Sequence, residues 1–179
     1  MTRLLAAFGL IVSLALTGCS TAPRSESDRA DIRSDAEEVI AEAKAADPTL
    51  GPVLDEAEGY AVFPTVGKGA IGVGGAYGKG VLYEGGSFVG YCDLTQASIG
   101  LALGGQAYTE IIAFSTEEAL ERFKSGNFSF SAQATAVALK SGAGANAKYS
   151  DGVAVFTMGE SGLMYEASIG GQKFSYQAE

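Results

Sequence analysis

The stretch GKGAIG, residues 67–72, reads G-x-G-x-x-G and follows the strand-like run YAVFPTV, residues 60–66. A dinucleotide-binding fingerprint would need a helix directly after the glycines, because the helix N-terminus holds the pyrophosphate. Here Gly72 is followed by VGGAYGKGV, which brings four more glycines before Val81. Each glycine costs about 1 kcal/mol in a helix interior, so no helix starts there and no βαβ unit follows. A Walker loop also fails, since neither Lys68 nor Lys79 completes GxxxxGK.

In a strand the side chains alternate between faces. Gly72, Gly74, Ala76 and Gly78 then share one face, while Ile71, Val73 and Tyr77 point to the other. Gly100, Ala102 and Gly104 repeat the pattern against Ile99, Leu101 and Leu103. A face almost without side chains lets something approach the backbone closely: another strand, a helix or a ligand. A tightly curved or closed sheet is the expected consequence.

Outward from these glycines the chain divides by composition. Segments YAVFPTV, AIGVGGAYG, GVLYE, SFVGYC, TQASIGLALGG and QAYTEIIAF read as successive strands, and FSFSAQATAVAL, GVAVFTM, GLMYEASIG and QKFSYQ as later ones. Between them, STEEALERFKSGN reads as a helix, with Ser115 and Glu118 as its capping box and Gly126 at its end. GESG, residues 159–162, reads as a hairpin turn. Before the sheet, Ile32, Ala36, Val39, Ile40 and Ala43 recur at helical spacing, with Ser27 or Asp28 as the cap and Pro48 as the stop. A second short helix is expected from Pro52 to Ala57. The fold class expected is α+β: N-terminal helices, then a curved or barrel-like, mostly antiparallel, glycine-rich sheet with one inserted helix.

The N-terminus reads as a secretory leader. Arg3 precedes an apolar run of 13 residues, 4–16, shorter than the roughly 20 needed to span a bilayer. It ends in LTGC, residues 16–19, which resembles the bacterial lipobox. That resemblance implies a diacylglyceryl thioether on Cys19, and Ser20 after it implies an outer-membrane anchor facing the periplasm. The expected organisation is a signal peptide at 1–18, a lipidated tether at 19–27, a helical segment at 28–58 and a β-rich domain at 59–179. With Cys19 alkylated, Cys92 has no partner for a disulfide and reads as a buried, inert thiol.

The chain carries 12 basic and 21 acidic side chains, a net charge of −9. The acids concentrate early: residues 20–59 hold 11 of them against 4 bases. This balance argues against nucleic acid as a partner, so an anion site must be a local basic patch. There is no histidine, which excludes His-based triads and imidazole proton shuttles. Paired acids such as Glu37 with Glu38 read as solvated helix faces. No metal-binding loop and no cofactor motif is present, and a non-enzyme is expected.

The run GYAVFPTVGKGAIGVGGAYGKGVLYEGG, then QASIGLALGGQAYTEIIAF, EEALERF and SGLMYEASIGGQKF, resembles the lipid-binding SYLF domain in the same motif order. The likeness covers about 120 residues, 59–176. It implies binding of phospholipid headgroups, in a family that includes bacterial lipoproteins and eukaryotic membrane-trafficking proteins, some of which bind actin. Two departures stand out: AVALKSGAGANAK replaces a Gly-Pro-Gly-Arg-like stretch, and the N-terminal helix is acidic. The headgroup candidates are Lys68 and Lys79, which flank the glycine-rich hairpin, and Lys140 and Lys148, which bracket SGAGANA. Glycine loops expose N–H groups that cup an anion, and a nearby lysine adds charge. The partner expected is thus a phospholipid membrane. An envelope protein on a non-catalytic interaction module, and a membrane β-barrel, are the alternatives.

Overall fold

The computed structural model describes the backbone of residues 21–130, 136–159 and 171–179, and their side chains except those of 70–74 and 98–106. The lipobox with Cys19, the turn at 160–162 and the run GLMYEASIG lie outside the described residues. The architecture is α+β. Helices α1 (Glu26–Ala46) and α2 (Leu50–Glu56) precede strands β1 (Gly59–Glu84) and β2 (Ser87–Phe114). Helix α3 (Glu117–Lys124), strands β3 (Val137–Ala138), β4 (Val153–Gly159) and β5 (Gln172–Ala178) follow.

The six short strands expected between residues 60 and 114 are two long ones of 26 and 28 residues, forming one antiparallel hairpin. The glycines bend these strands without ending them. Register shifts between Phe63 and Val66 and between Ile71 and Val73 mark the bends, where a bulge raises local twist. Pro64, which has no N–H to give a ladder, sits in the first bulge, and its carbonyl accepts the Thr109 hydroxyl at 2.8 Å. The hairpin closes through Gly85 and Gly86, with φ of 54° and 77°. Positive φ at both central positions is what a twist-matched two-residue turn requires.

Bent in this way, β1 returns against itself. A Cβ placed on Gly78 would lie 3.1 Å from the Thr65 carbonyl, and one on Gly59 would lie 2.7 Å from that of Tyr83. A Cβ on Gly80 would collide with the Val62 carbonyl and the Phe63 ring. At Gly78 and Gly80, what approaches this face is therefore the other half of the same strand. β4 extends the sheet on the second half of β2, β3 pairs parallel to β4, and β5 pairs with the first half of β2. The path β1–β2–β4–β3 ends at β1 and β3, and no ladder joins its edges among the described residues. The barrel-like closure expected from the glycines is corrected here to a curved, open sheet. The residues flanking β1 meet where the strand returns, Gly85 N–H donating to Glu58 O at 3.2 Å.

The long hairpin is buried on both faces, which accounts for its near-continuous apolar runs. Ala61, Phe63, Leu82, Cys92, Leu94, Ile112 and Phe114 fill the concave side together with α3. Val62, Val81, Tyr83, Tyr91, Ile111 and Ala113 pack outward under α1 and α2. All five apolar positions read from the α1 sequence face this outer layer. Ala36 and Ala43 are fully buried there, their small side chains letting the helix lie close. The cap of α1 is Ser25, whose hydroxyl accepts from Asp28 N–H, two or three residues before the expected one. α2 starts at Leu50 rather than Pro52. α3 is capped by Thr116, not Ser115, and Gly126 ends it at a φ of 71°. Of the expected strand FSFSAQATAVAL, residues 131–135 lie outside the described residues, and the described ones hold β3 and a bridge from Ser129 to Lys173.

Candidate functional site

Lys79 is the expected site residue with the richest surroundings. It lies on the outer face of β1, where its ammonium donates to Asp93 Oδ1 and to the Thr21 carbonyl, each at 2.9 Å. Partial burial pushes its pKa down, but the Asp93 and Tyr77 hydrogen bonds outweigh that and raise it. Tyr77, two positions earlier on the same face, is half exposed, with its ring 5.9 Å from the ammonium.

Residues 21–23, part of the segment read above as tether, dock beside this pair. The Thr21 hydroxyl donates to Ser175 Oγ at 3.2 Å and Ala22 N–H to Gln177 Oε1 at 3.2 Å. The Pro23 carbonyl accepts from Arg29 Nε at 3.1 Å. Ala22 is buried in the outer layer. Between this segment, the start of α1 and β1 runs a groove of about 400 Å³, lined by Arg24, Asp28, Ile32, Tyr77 and Lys79. Arg24 and Lys79 line it with Asp28, Ile32 and Tyr77, and Lys79 is already paired with Asp93 at 2.9 Å, which leaves Arg24 as the cation without a close carboxylate among the described ion pairs.

The other candidate lysines lie elsewhere. Lys68 follows Val66 by two residues without an intervening bulge, so it shares the concave face with Val66. Lys68 and Lys79 thus stand on opposite faces of β1. Lys140 and Lys148 are exposed and bracket a 3-10 turn at residues 144–146. This loop does cup an anion, as its glycines suggest, but the anion is the protein's own Asp47. Asp47 Oδ1 accepts from Gly142 N–H at 3.0 Å, Oδ2 from Gly144 N–H at 2.6 Å, and Oδ1 also from the Thr49 hydroxyl at 2.7 Å. Thr49 Oγ1 in turn accepts from Ala145 N–H at 2.9 Å. Burial pushes the Asp47 carboxyl up, but the Gly144, Thr49 and Gly142 donors prevail and hold its pKa below the usual value. Asp47 caps the C-terminus of α1, a helix of 21 residues and therefore about 30 Å long. The groove sits at the opposite end, so the four lysines do not gather around one headgroup.

Asp47 ties the loop to the helices. Asp47→Ala strands buried N–H groups, and a cost of about 2–4 kcal/mol is expected. Thermal melting would register this, together with faster tryptic cleavage at Lys140 and Lys148. An unchanged melting temperature and unchanged cleavage would show that the loop is held by other contacts.

Cys92 is fully buried, and burial raises its thiol pKa well above the ordinary value, so it is inert as expected. A buried polar group that the sequence reading passed over is Glu110. It points to the concave side of β2 with no exposed surface. Gln172 Nε2 donates to Glu110 Oε2 at 2.9 Å and to the Tyr108 hydroxyl at 3.3 Å. Desolvation raises the carboxyl to about 7 against the pull of these two neighbours. Its only signal in the sequence is an acid at a core position of an otherwise apolar strand.

Two likenesses to known proteins accompany this geometry. Residues 95–179 match the profile of the Ysc84 family, described as "Las17-binding protein actin regulator". The chain is also 30% identical over 129 residues to beta cell expansion factor A of Aeromonas veronii, across 71% of this chain and 49% of that protein. It thus spans about half the length of that curated relative. The profile match begins in the first half of β2 and runs through α3 to β5, in the motif order noted in the sequence. On these grounds the chain belongs to the SYLF family of Ysc84-type domains.

Proposed function

We propose that the protein is an outer-membrane lipoprotein, anchored through Cys19 and facing the periplasm, whose domain binds anionic phospholipid headgroups in the groove of Arg24, Tyr77 and Lys79. The observation that carries this reading is the docking of residues 21–23 at the groove mouth. Two residues of extended chain reach at most about 7 Å, so an acyl anchor on Cys19 would hold this end against the bilayer. Arg24 and Tyr77 would then meet the headgroup layer, where a surface cation contributes about 1 kcal/mol and a half-exposed tyrosine suits the interface. Lys79, neutralised in part by Asp93, shapes the groove more than it charges it. No catalytic step is assigned.

Flotation of the unlipidated chain on vesicles tests the reading. Binding is expected to anionic vesicles over neutral ones. Arg24→Glu reverses one charge and should weaken it by roughly 30-fold, whereas Lys140→Glu, at the far end of α1, should leave it unchanged. Equal flotation on both vesicle types would rule out headgroup recognition. Weakening by Lys140→Glu instead of Arg24→Glu would move the site to the loop.

A further inference from the structure

We propose that Glu110, Thr157 and Gln172 form an internal site for one small monovalent cation, coordinated by side-chain oxygens from β2, β4 and β5. Glu110 and Thr157 are directly opposite in the β2–β4 ladder. Gln172 is tied to Glu110 by the 2.9 Å hydrogen bond across β2 and β5. All three residues are at least 99% buried. After every hydrogen bond is counted, Glu110 Oε1, Thr157 Oγ1 and Gln172 Oε1 each remain buried without a partner. Three bare oxygens on side chains that the ladder pair and the hydrogen bond bring together from three strands are costly to bury.

The chemistry of the set selects the guest. A carboxylate oxygen and an amide oxygen only accept, and a hydroxyl can present its lone pairs. Hard oxygen donors of this kind hold alkali and alkaline-earth cations. Charge decides between them. Among the described residues no lysine or arginine forms an ion pair with Glu110, and the one titratable neighbour is the Tyr108 hydroxyl. One buried negative charge is neutralised by one positive charge, whereas a divalent ion would leave a surplus in the core. The site is independent of the headgroup groove, which lies on the outer face.

The test is the melting temperature of the full chain in detergent, above neutral pH, at one ionic strength. Sodium or potassium chloride is compared with tetramethylammonium chloride, whose cation is too large for the interior. A rise of about 2–4 °C or more in one of the small-cation salts is expected. It should vanish in Glu110→Gln and in Thr157→Val, and persist in Thr157→Ser. Should Glu110→Gln fail to fold, the two Thr157 variants still decide. Identical melting in all salts would overturn the proposal in favour of a proton or a water in the gap. A rise that survives in Thr157→Val would place the cation elsewhere.

Discussion

Gly80→Val is expected to abolish cooperative folding or to cost at least about 3 kcal/mol. Overpacking a core usually costs about 1–3 kcal/mol because neighbouring side chains shift aside. At Gly80 the first obstacle is the Val62 carbonyl, a backbone atom fixed in the β1–β2 ladder, and the second is the buried Phe63 ring. Neither can yield without opening the fold of β1 on itself. Gly51→Ala is the matched control: a Cβ there meets nothing within 4 Å, and it lies inside α2. It should stabilise by about 0.5–1 kcal/mol. Chemical denaturation compares the two. A Gly80→Val protein that melts like the parent would mean that the two halves of β1 do not pack as described.

The second large effect is on pH. The Glu110 carboxyl rises from 4.5 to about 7 on folding, so the folded state holds this proton more tightly than the unfolded chain. Its contribution to stability is fully present below about pH 4.5 and is lost as pH rises through about 7. At roughly 1.4 kcal/mol per pH unit, the loss is about 3 kcal/mol, or about 6–12 °C in melting temperature for a chain of this size. Asp47 acts in the opposite sense: its lowered carboxyl stabilises above its unfolded value of 3.8 and loses that contribution only in stronger acid. Stability should therefore peak in mild acid and decline towards alkaline pH. The measurement is made with tetramethylammonium as the only cation, so that no small ion compensates. Glu110→Gln should flatten the decline and raise the melting temperature at alkaline pH. Parallel curves for the two proteins would assign the decline to other groups.

Much of the local structure was legible because it depends on near neighbours. The α1 face of Ile32, Ala36, Val39, Ile40 and Ala43 follows from helical spacing alone, and Gly126 ends α3 as its position suggests. No helix begins among the glycines of β1, as expected; they lie within one continuous strand. Helix caps moved by one to three residues because Ser25, Thr116 and their neighbours offer equivalent hydroxyls. Strand lengths were misjudged for a related reason. Glycine weakens a strand in isolation, but a bend buried on both faces tolerates it, so six expected strands merged into two.

The candidate site was far less legible. Lys79 was picked out by its glycines, but its neighbours Thr21 and Asp93 are 58 and 14 positions away. The anion for the 142–145 loop comes from a residue 97 positions earlier. Glu110 meets Gln172 across 62 positions.

Composition and periodicity by themselves determined an acidic α+β chain without histidine chemistry and with a sheet surface left bare by glycine, and the motifs in their order supplied the resemblance to the SYLF family. Only the tertiary structure decided what fills that bare surface, which lysines stay apart and which oxygens are buried together. The reason is physical: spacing along the chain dictates which face a residue occupies, whereas bends of a few residues in β1 and β2 dictate which faces meet.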